Sequence, residues 1–92
     1  MYEEVHCIVE GRVQMVMYRD FTQRTARSLG LVGWVRNVEN GTVEVVAQGI
    51  KDDLKRFIEK LHEGSILSRV DSVAVSWRTG SEYFADFSIR YT

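Results

Sequence analysis

"LVGWVRNVENGTVEVVAQG", residues 31 to 49, sets two runs rich in β-branched and apolar residues on either side of Asn40-Gly41. Alternating apolar runs joined by Asn-Gly are the strongest short-range sign of a β-hairpin, because both turn residues tolerate positive φ. The first arm covers residues 31–39 and the second residues 42–49. In the second arm Val43, Val45 and Ala47 share one face, with Glu44, Val46 and Gln48 on the other. An antiparallel pair therefore lies mid-chain, and its apolar face needs a cover.

The flanking segments supply one. Upstream, Tyr18, Phe21, Thr22, Thr25, Ala26 and Leu29 recur at helical spacing, and Gly30 followed by Leu31 is a natural stop. Downstream, a second helix is predicted from about Ile50 to Glu63. Its buried stripe is Ile50, Leu54, Phe57, Ile58 and Leu61; Asp52 and Asp53 lie in its first turn, where the helix dipole favours acids, and Gly64 ends it. Outside the helices, "VHCIVE" (5–10) alternates Val5, Cys7 and Val9 against His6, Ile8 and Glu10. "VDSVAVSWR" (70–78) and "YFADFSIRY" (83–91) read as two more strands around a Thr79-Gly80 turn. The order β-α-β-β-α-β, with a final strand added, predicts an α+β fold of ferredoxin-like layout. That is a βαββαβ sandwich with two helices on one face of a largely antiparallel sheet and an added C-terminal strand. Without proline, linker or low-complexity stretch, residues 1–92 read as a single domain.

Composition narrows the classes of function. Thirteen acids stand against twelve bases, and they nearly cancel in both halves of the chain, so no basic stripe awaits a polyanion. Nucleic acid is not an expected partner. Cys7 is the only cysteine, which rules out an internal disulfide, and its place beside Val5 and Val9 marks it as core. The start, "MYEEVHCIVE", carries acids where a signal peptide carries bases, and no run approaches the ~20 apolar residues of a membrane span. A cytoplasmic monomer with no membrane contact is expected. His6 and His62 lack neighbouring cysteines or paired acids, so no metal site is expected either. Trp34 and Trp77 read as strand packing, and Arg36 as solvated.

One segment does not fit a purely structural reading. "GRVQMVMYR" (11–19) joins the first strand to the first helix without any Ser, Thr, Asp or Asn at the cap position. About four N–H groups at a helix start have no backbone acceptor, and Asp20 lies inside the helix, badly placed to cap it. A flexible Gly11, successive amides and two arginines suit a bound anion instead: helix starts and curled loops present N–H groups to phosphate. Arg19 can add a bidentate fork.

Together, "GRVQMVMYR" and "GWVRNVENGTVEVVAQG" (33–49) resemble the two signature segments of the acylphosphatases. The first segment of that family reads Gly-x-Val-Gln-Gly-Val-x-Phe/Tyr-Arg, met here by Gly11, Val13, Gln14, Val16, Tyr18 and Arg19. The second is met by Gly33, Trp34, Val35, Asn37, Gly41, Val43 and Gly49. The resemblance implies hydrolysis of the carboxyl-phosphate bond of acyl phosphates to a carboxylate and inorganic phosphate, by direct attack of water and without metal or cofactor. By the same resemblance Arg19 and Asn37 are the catalytic residues, and Arg12, Val13, Gln14, Met15, Val16, Met17 and Tyr18 form the phosphate-binding loop. The alternative is a non-catalytic phosphate- or carbamoyl-phosphate-binding module of the same fold. An RNA-binding sheet of this topology is a third reading, and it lacks the expected aromatic segments.

Met15 stands where the family has glycine. If the loop keeps a glycine-like conformation there, methionine costs about 1–2 kcal/mol in strain. If it does not, the amides of Met15 to Met17 turn away from the anion. Met15 and Met17 can also form an apolar rim for an acyl chain, while Gln14 serves to brace the loop.

Overall fold

The computed structural model describes residues 2–80 and 82–91. Seven elements follow one another: β1 (Tyr2–Arg12), α1 (Tyr18–Ser28), β2 (Val32–Asn37), β3 (Val43–Ile50), α2 (Lys51–Glu63), β4 (Arg69–Arg78) and β5 (Phe87–Arg90). They build one five-stranded sheet in the order β4-β1-β3-β2-β5. Only the β2–β5 pairing is parallel; the other three are antiparallel.

The alternation in β1 decides which face is covered. Val5, Cys7 and Val9 are fully buried and lie opposite Ala47, Val45 and Val43 of β3. Onto this face α1 sets Tyr18, Thr22 and Ala26, and α2 sets Leu54, Phe57 and Leu61. Phe57 meets Phe87 edge-on at 6.0 Å, a favoured geometry for aromatic rings. The Tyr18 hydroxyl donates to the Leu61 carbonyl at 2.8 Å, which ties the start of α1 to the last turn of α2. Burial pushes the Cys7 thiol up to about 12, which keeps it protonated within the core.

Helix α1 ends as its sequence predicts. Leu31 N–H reaches back to the Ala26 carbonyl and Gly30 N–H to the Arg27 carbonyl, the paired bonds of a glycine-terminated helix. At α2 the prediction is one residue out. Ile50 is the last residue of β3 and caps α2 with an extended backbone, so it leaves the buried stripe and is 54% exposed.

The central hairpin forms with a different turn. Val38 N–H donates to the Thr42 carbonyl at 2.9 Å and Gly41 N–H to the Val38 carbonyl at 3.0 Å. The loop is therefore Glu39-Asn40-Gly41, three residues and not two, with Gly41 alone at positive φ (93°). Asn40 contributes its side chain instead: Oδ1 accepts from the Thr42 amide and hydroxyl.

No hairpin forms around Thr79-Gly80. β4 and β5 occupy opposite edges of the sheet, and β5 is only four residues long. Phe87 is fully buried beneath the helices, and Gly33 N–H donates to the Asp86 carbonyl at 3.0 Å, which aligns β5 beside β2. The connecting segment is held on its way by Gln48, whose Nε2 donates to Glu4 Oε1 and to the Glu82 carbonyl, both at 2.8 Å. Glu4 in turn pairs with Arg78.

On the sheet face away from the helices, Arg36 is engaged and not merely solvated. It pairs with Glu44 at 2.7 Å, and His6 Nε2 lies 2.6 Å from the other Glu44 oxygen. Burial acts to raise the Glu44 carboxyl, but hydrogen bonds from His6 and Arg36 outweigh it and hold that carboxyl below its ordinary range. Trp34 is half-buried with the Arg90 guanidinium 4.6 Å above its ring. Trp77, on edge strand β4, is 41% exposed, against the packing expected of it.

Candidate active site

The site begins at a bulge. The register of β1 against β4 slips between Glu10 and Gly11, and Gly11 has φ 131° with the Arg69 carbonyl where a Cβ would sit. No other residue fits there. Gly11 is thus part of β1 and not a flexible loop residue. Arg12, expected in the phosphate loop, is likewise the last residue of β1, exposed and paired with Arg69.

From Val13 the chain curls. Val13 and Val16 are buried and anchor the loop from below. Gln14 Nε2 donates to the carbonyls of Val38 and Thr42, both at 2.8 Å, and so clamps the loop to the hairpin tip. Ser65 Oγ donates to the Val16 carbonyl at 3.3 Å from the other helix's end. Between these anchors Met15 and Met17 adopt left-handed backbones, φ 59° and 63°. The glycine-like conformation is kept at Met15, and Met17 shares it, which the sequence did not signal.

Two left-handed residues separated by one with negative φ turn successive N–H groups toward a common concavity that suits an anion. Met17 is also the N-cap of α1 and makes no side-chain cap bond. The first helical bond is Phe21 N–H to the Met17 carbonyl, so the N–H groups of Tyr18, Arg19 and Asp20 precede it. Among the described residues, no protein acceptor takes an N–H from Val13 through Asp20. The Asp20 carboxylate is turned to Arg24 at 2.9 Å.

The strain at Met15 has a testable size. Left-handed backbone costs a non-glycine residue ~1–2 kcal/mol, partly offset by the greater unfolded-state entropy of glycine. Met15→Gly is expected to stabilise the fold by about 0.5–1 kcal/mol, a Tm increase of roughly 2–8 °C for a domain of this size. Thermal melts followed by circular dichroism check this; an unchanged or lower Tm contradicts it.

Arg19 lies in the first turn of α1 and makes no ion pair among the described residues. Its guanidinium carbon sits 4.8 Å from the centroid of the Tyr91 ring. Together they line a cleft of about 400 Å³ with Val13, Met15, Met17 and Ile89. Asn37 ends β2 and lines a neighbouring cleft of about 570 Å³ with Val38, Glu39 and again Tyr91. Asn37 Oδ1 is buried and has no hydrogen-bond partner among the described residues. That oxygen is therefore available to accept a hydrogen bond.

Tyr91 links the Arg19 cleft to the Asn37 cleft, and sequence reasoning missed it. It follows a strand whose partner, β2, no local pattern reveals. The structure thus gathers Val13 to Tyr18, Arg19 and Asn37 around adjoining clefts and leaves Arg12 out. The Tyr18 side chain is committed to the core, so only its backbone faces the site. Among the described residues no group of three or more His, Cys, Asp or Glu could hold a metal ion. No described helix is long and apolar enough to cross a membrane.

Comparison with known proteins places the whole chain in a family. The acylphosphatase family profile matches residues 5–89. An acylphosphatase of Methanococcoides burtonii is 44% identical over 91 residues, covering 96% of this chain and 95% of that one. The crystal structure of acylphosphatase from Bacillus subtilis superposes with a TM-score of 0.94 at 38% identity, covering 99% of this chain and all of that one. Full-length HypF, solved in a phosphate- and nucleotide-bound form, matches with a TM-score of 0.86 at 25% identity, but over only 12% of its own length. The two sequence segments, the topology and the matches over nearly whole chains lead to one conclusion: the chain belongs to the acylphosphatase family.

Proposed function

We propose that the chain hydrolyses the carboxyl-phosphate bond of acyl phosphates, with the Val13–Asp20 amides and Arg19 holding the phosphoryl group and Asn37 holding the attacking water. The observation that carries this reading is the row of N–H groups at the start of α1 that find no acceptor among the described residues, beside the Arg19 guanidinium, which makes no ion pair among them. An acyl phosphate is already activated, because carboxylate leaves readily as an anion. What remains for the protein is to position the reactants and to stabilise charge on the equatorial phosphoryl oxygens. Fixed amides and a guanidinium do this without reorganising during the reaction.

Water, accepted by the free Asn37 Oδ1, bonds to phosphorus as the bond from phosphorus to the carboxylate oxygen breaks. The carboxylate departs with the bonding pair, and the water's proton stays with the phosphate product or passes to solvent. The carbamoyl-phosphate module is not favoured, since the acylphosphatases that match are covered almost end to end. Balanced charge and a single buried cysteine support the finer reading of a cytoplasmic monomer that acts on small molecules and not on nucleic acid. The direct test is release of benzoate and phosphate from benzoyl phosphate in the presence of a chelator. Turnover is expected, and its absence with pure folded protein overturns the proposal.

A further inference from the structure

Beside the phosphate loop the surface is unusually apolar. Ile66 is fully exposed, Leu67 is 64% exposed, and Met15 and Met17 are 98% and 65% exposed. Single exposed apolar residues need no explanation, but a contiguous group at a site does. Met17, Phe21, Ile66 and Leu67 line a groove of about 320 Å³ in which the only charged group, Arg24, is already paired with Asp20. That size lies at the lower end of the ~300–1,000 Å³ typical of small-molecule sites.

The groove is continuous with the site, because Met17 lines both it and the Arg19 cleft. Direction agrees as well. In-line displacement puts the departing acyl group opposite the attacking water, which Asn37 holds on the hairpin side. The hairpin grips the loop at Gln14, whereas the segment carrying Ile66 and Leu67 touches it at Val16. We infer that this groove receives the hydrocarbon part of the acyl group, so that the enzyme favours acyl phosphates of medium-chain aliphatic or aromatic acids over acetyl phosphate. The inference rests on reading the loop as the phosphoryl site.

Alkylphosphonates test it without turnover, since they offer a phosphate-like head on a chain of chosen length. Full burial of a methylene is worth about fourfold in affinity, and an open groove covers about half of each, so about twofold per carbon is expected. Calorimetry should show hexylphosphonate binding roughly 30-fold more tightly than methylphosphonate. In Ile66→Ser/Leu67→Ser the two ligands should bind within a few-fold of each other. Both substitutions are at exposed positions, and unchanged thermal melts verify the fold. Equal affinity for the two ligands in the parent protein, or a chain-length dependence that survives the double substitution, overturns the inference. Chain-length-dependent binding without hydrolysis of any acyl phosphate leaves the groove standing and removes the catalytic reading instead.

Discussion

Arg19→Gln is expected to lower kcat/KM for benzoyl phosphate by about 10³ or more, within the roughly 10³–10⁵ attributed to a guanidinium that stabilises a transferring phosphoryl group. Charge on the equatorial oxygens has to be met by donors already in place, and Arg19 is the only described guanidinium lining the cleft of the loop. Stability should hardly change. Arg19 makes no ion pair among the described residues, and its contact with Tyr91 is a partly exposed cation–π interaction worth about 0.5–1 kcal/mol. Arg19→Lys keeps the charge but loses the planar fork, so it should recover only part of the rate. Steady-state kinetics beside thermal melts separate the cases. A variant that unfolds, or one that keeps parental kcat/KM, contradicts the assignment.

Asn37→Ala should lower kcat by about 10²–10³, the scale seen when one oriented polar group is lost from a phosphoryl or acyl transfer site. KM and inhibition by phosphate should stay close to the parent values, because the proposed role of Asn37 is to hold the attacking water and not the bound anion. The stability effect separates this role from a structural one. Asn37 Oδ1 bonds to no protein group among the described residues, so its removal breaks no internal hydrogen bond and should leave the fold about as stable. A structural asparagine would show the reverse, a lower Tm with kcat retained, and that outcome would remove Asn37 from the mechanism.

The elements were legible wherever local physics decides them. Val5, Cys7 and Val9 alternate because their face is buried, and the helix stripes at Tyr18–Ala26 and Leu54–Leu61 arise from the same cause. The helix stop at Gly30 was legible because its bonds run to residues only three and five positions back. What failed was partner choice. Alternation in residues 83–91 reveals a face but not which strand lies alongside, so the pairing of β5 with β2 could not be read locally. Asn40-Gly41 suggested a two-residue turn, yet Asn40 used its side chain to bond Thr42 and left positive φ to Gly41.

At the site the missing cap was visible as an absence of Ser, Thr, Asp and Asn, and the position of Met15 signalled strain. Met17 carried no such signal, since its left-handed backbone is imposed by the anchors on either side, Val16 and the start of α1. Arg12, which the resemblance counts with the loop, is the last residue of β1, because the bulge at Gly11 lets the strand run on to it. Tyr91 and the Ile66–Leu67 wall arise from tertiary placement alone.

The measurement closest to the central claim is a titration of ¹⁵N-labelled protein with inorganic phosphate, followed amide by amide. Saturable shifts are expected, largest for the N–H groups of Val13 to Asp20, accompanied by the Arg19 side chain and lost in Arg19→Gln. Shifts scattered over the surface, or saturable binding centred away from this loop, would contradict it.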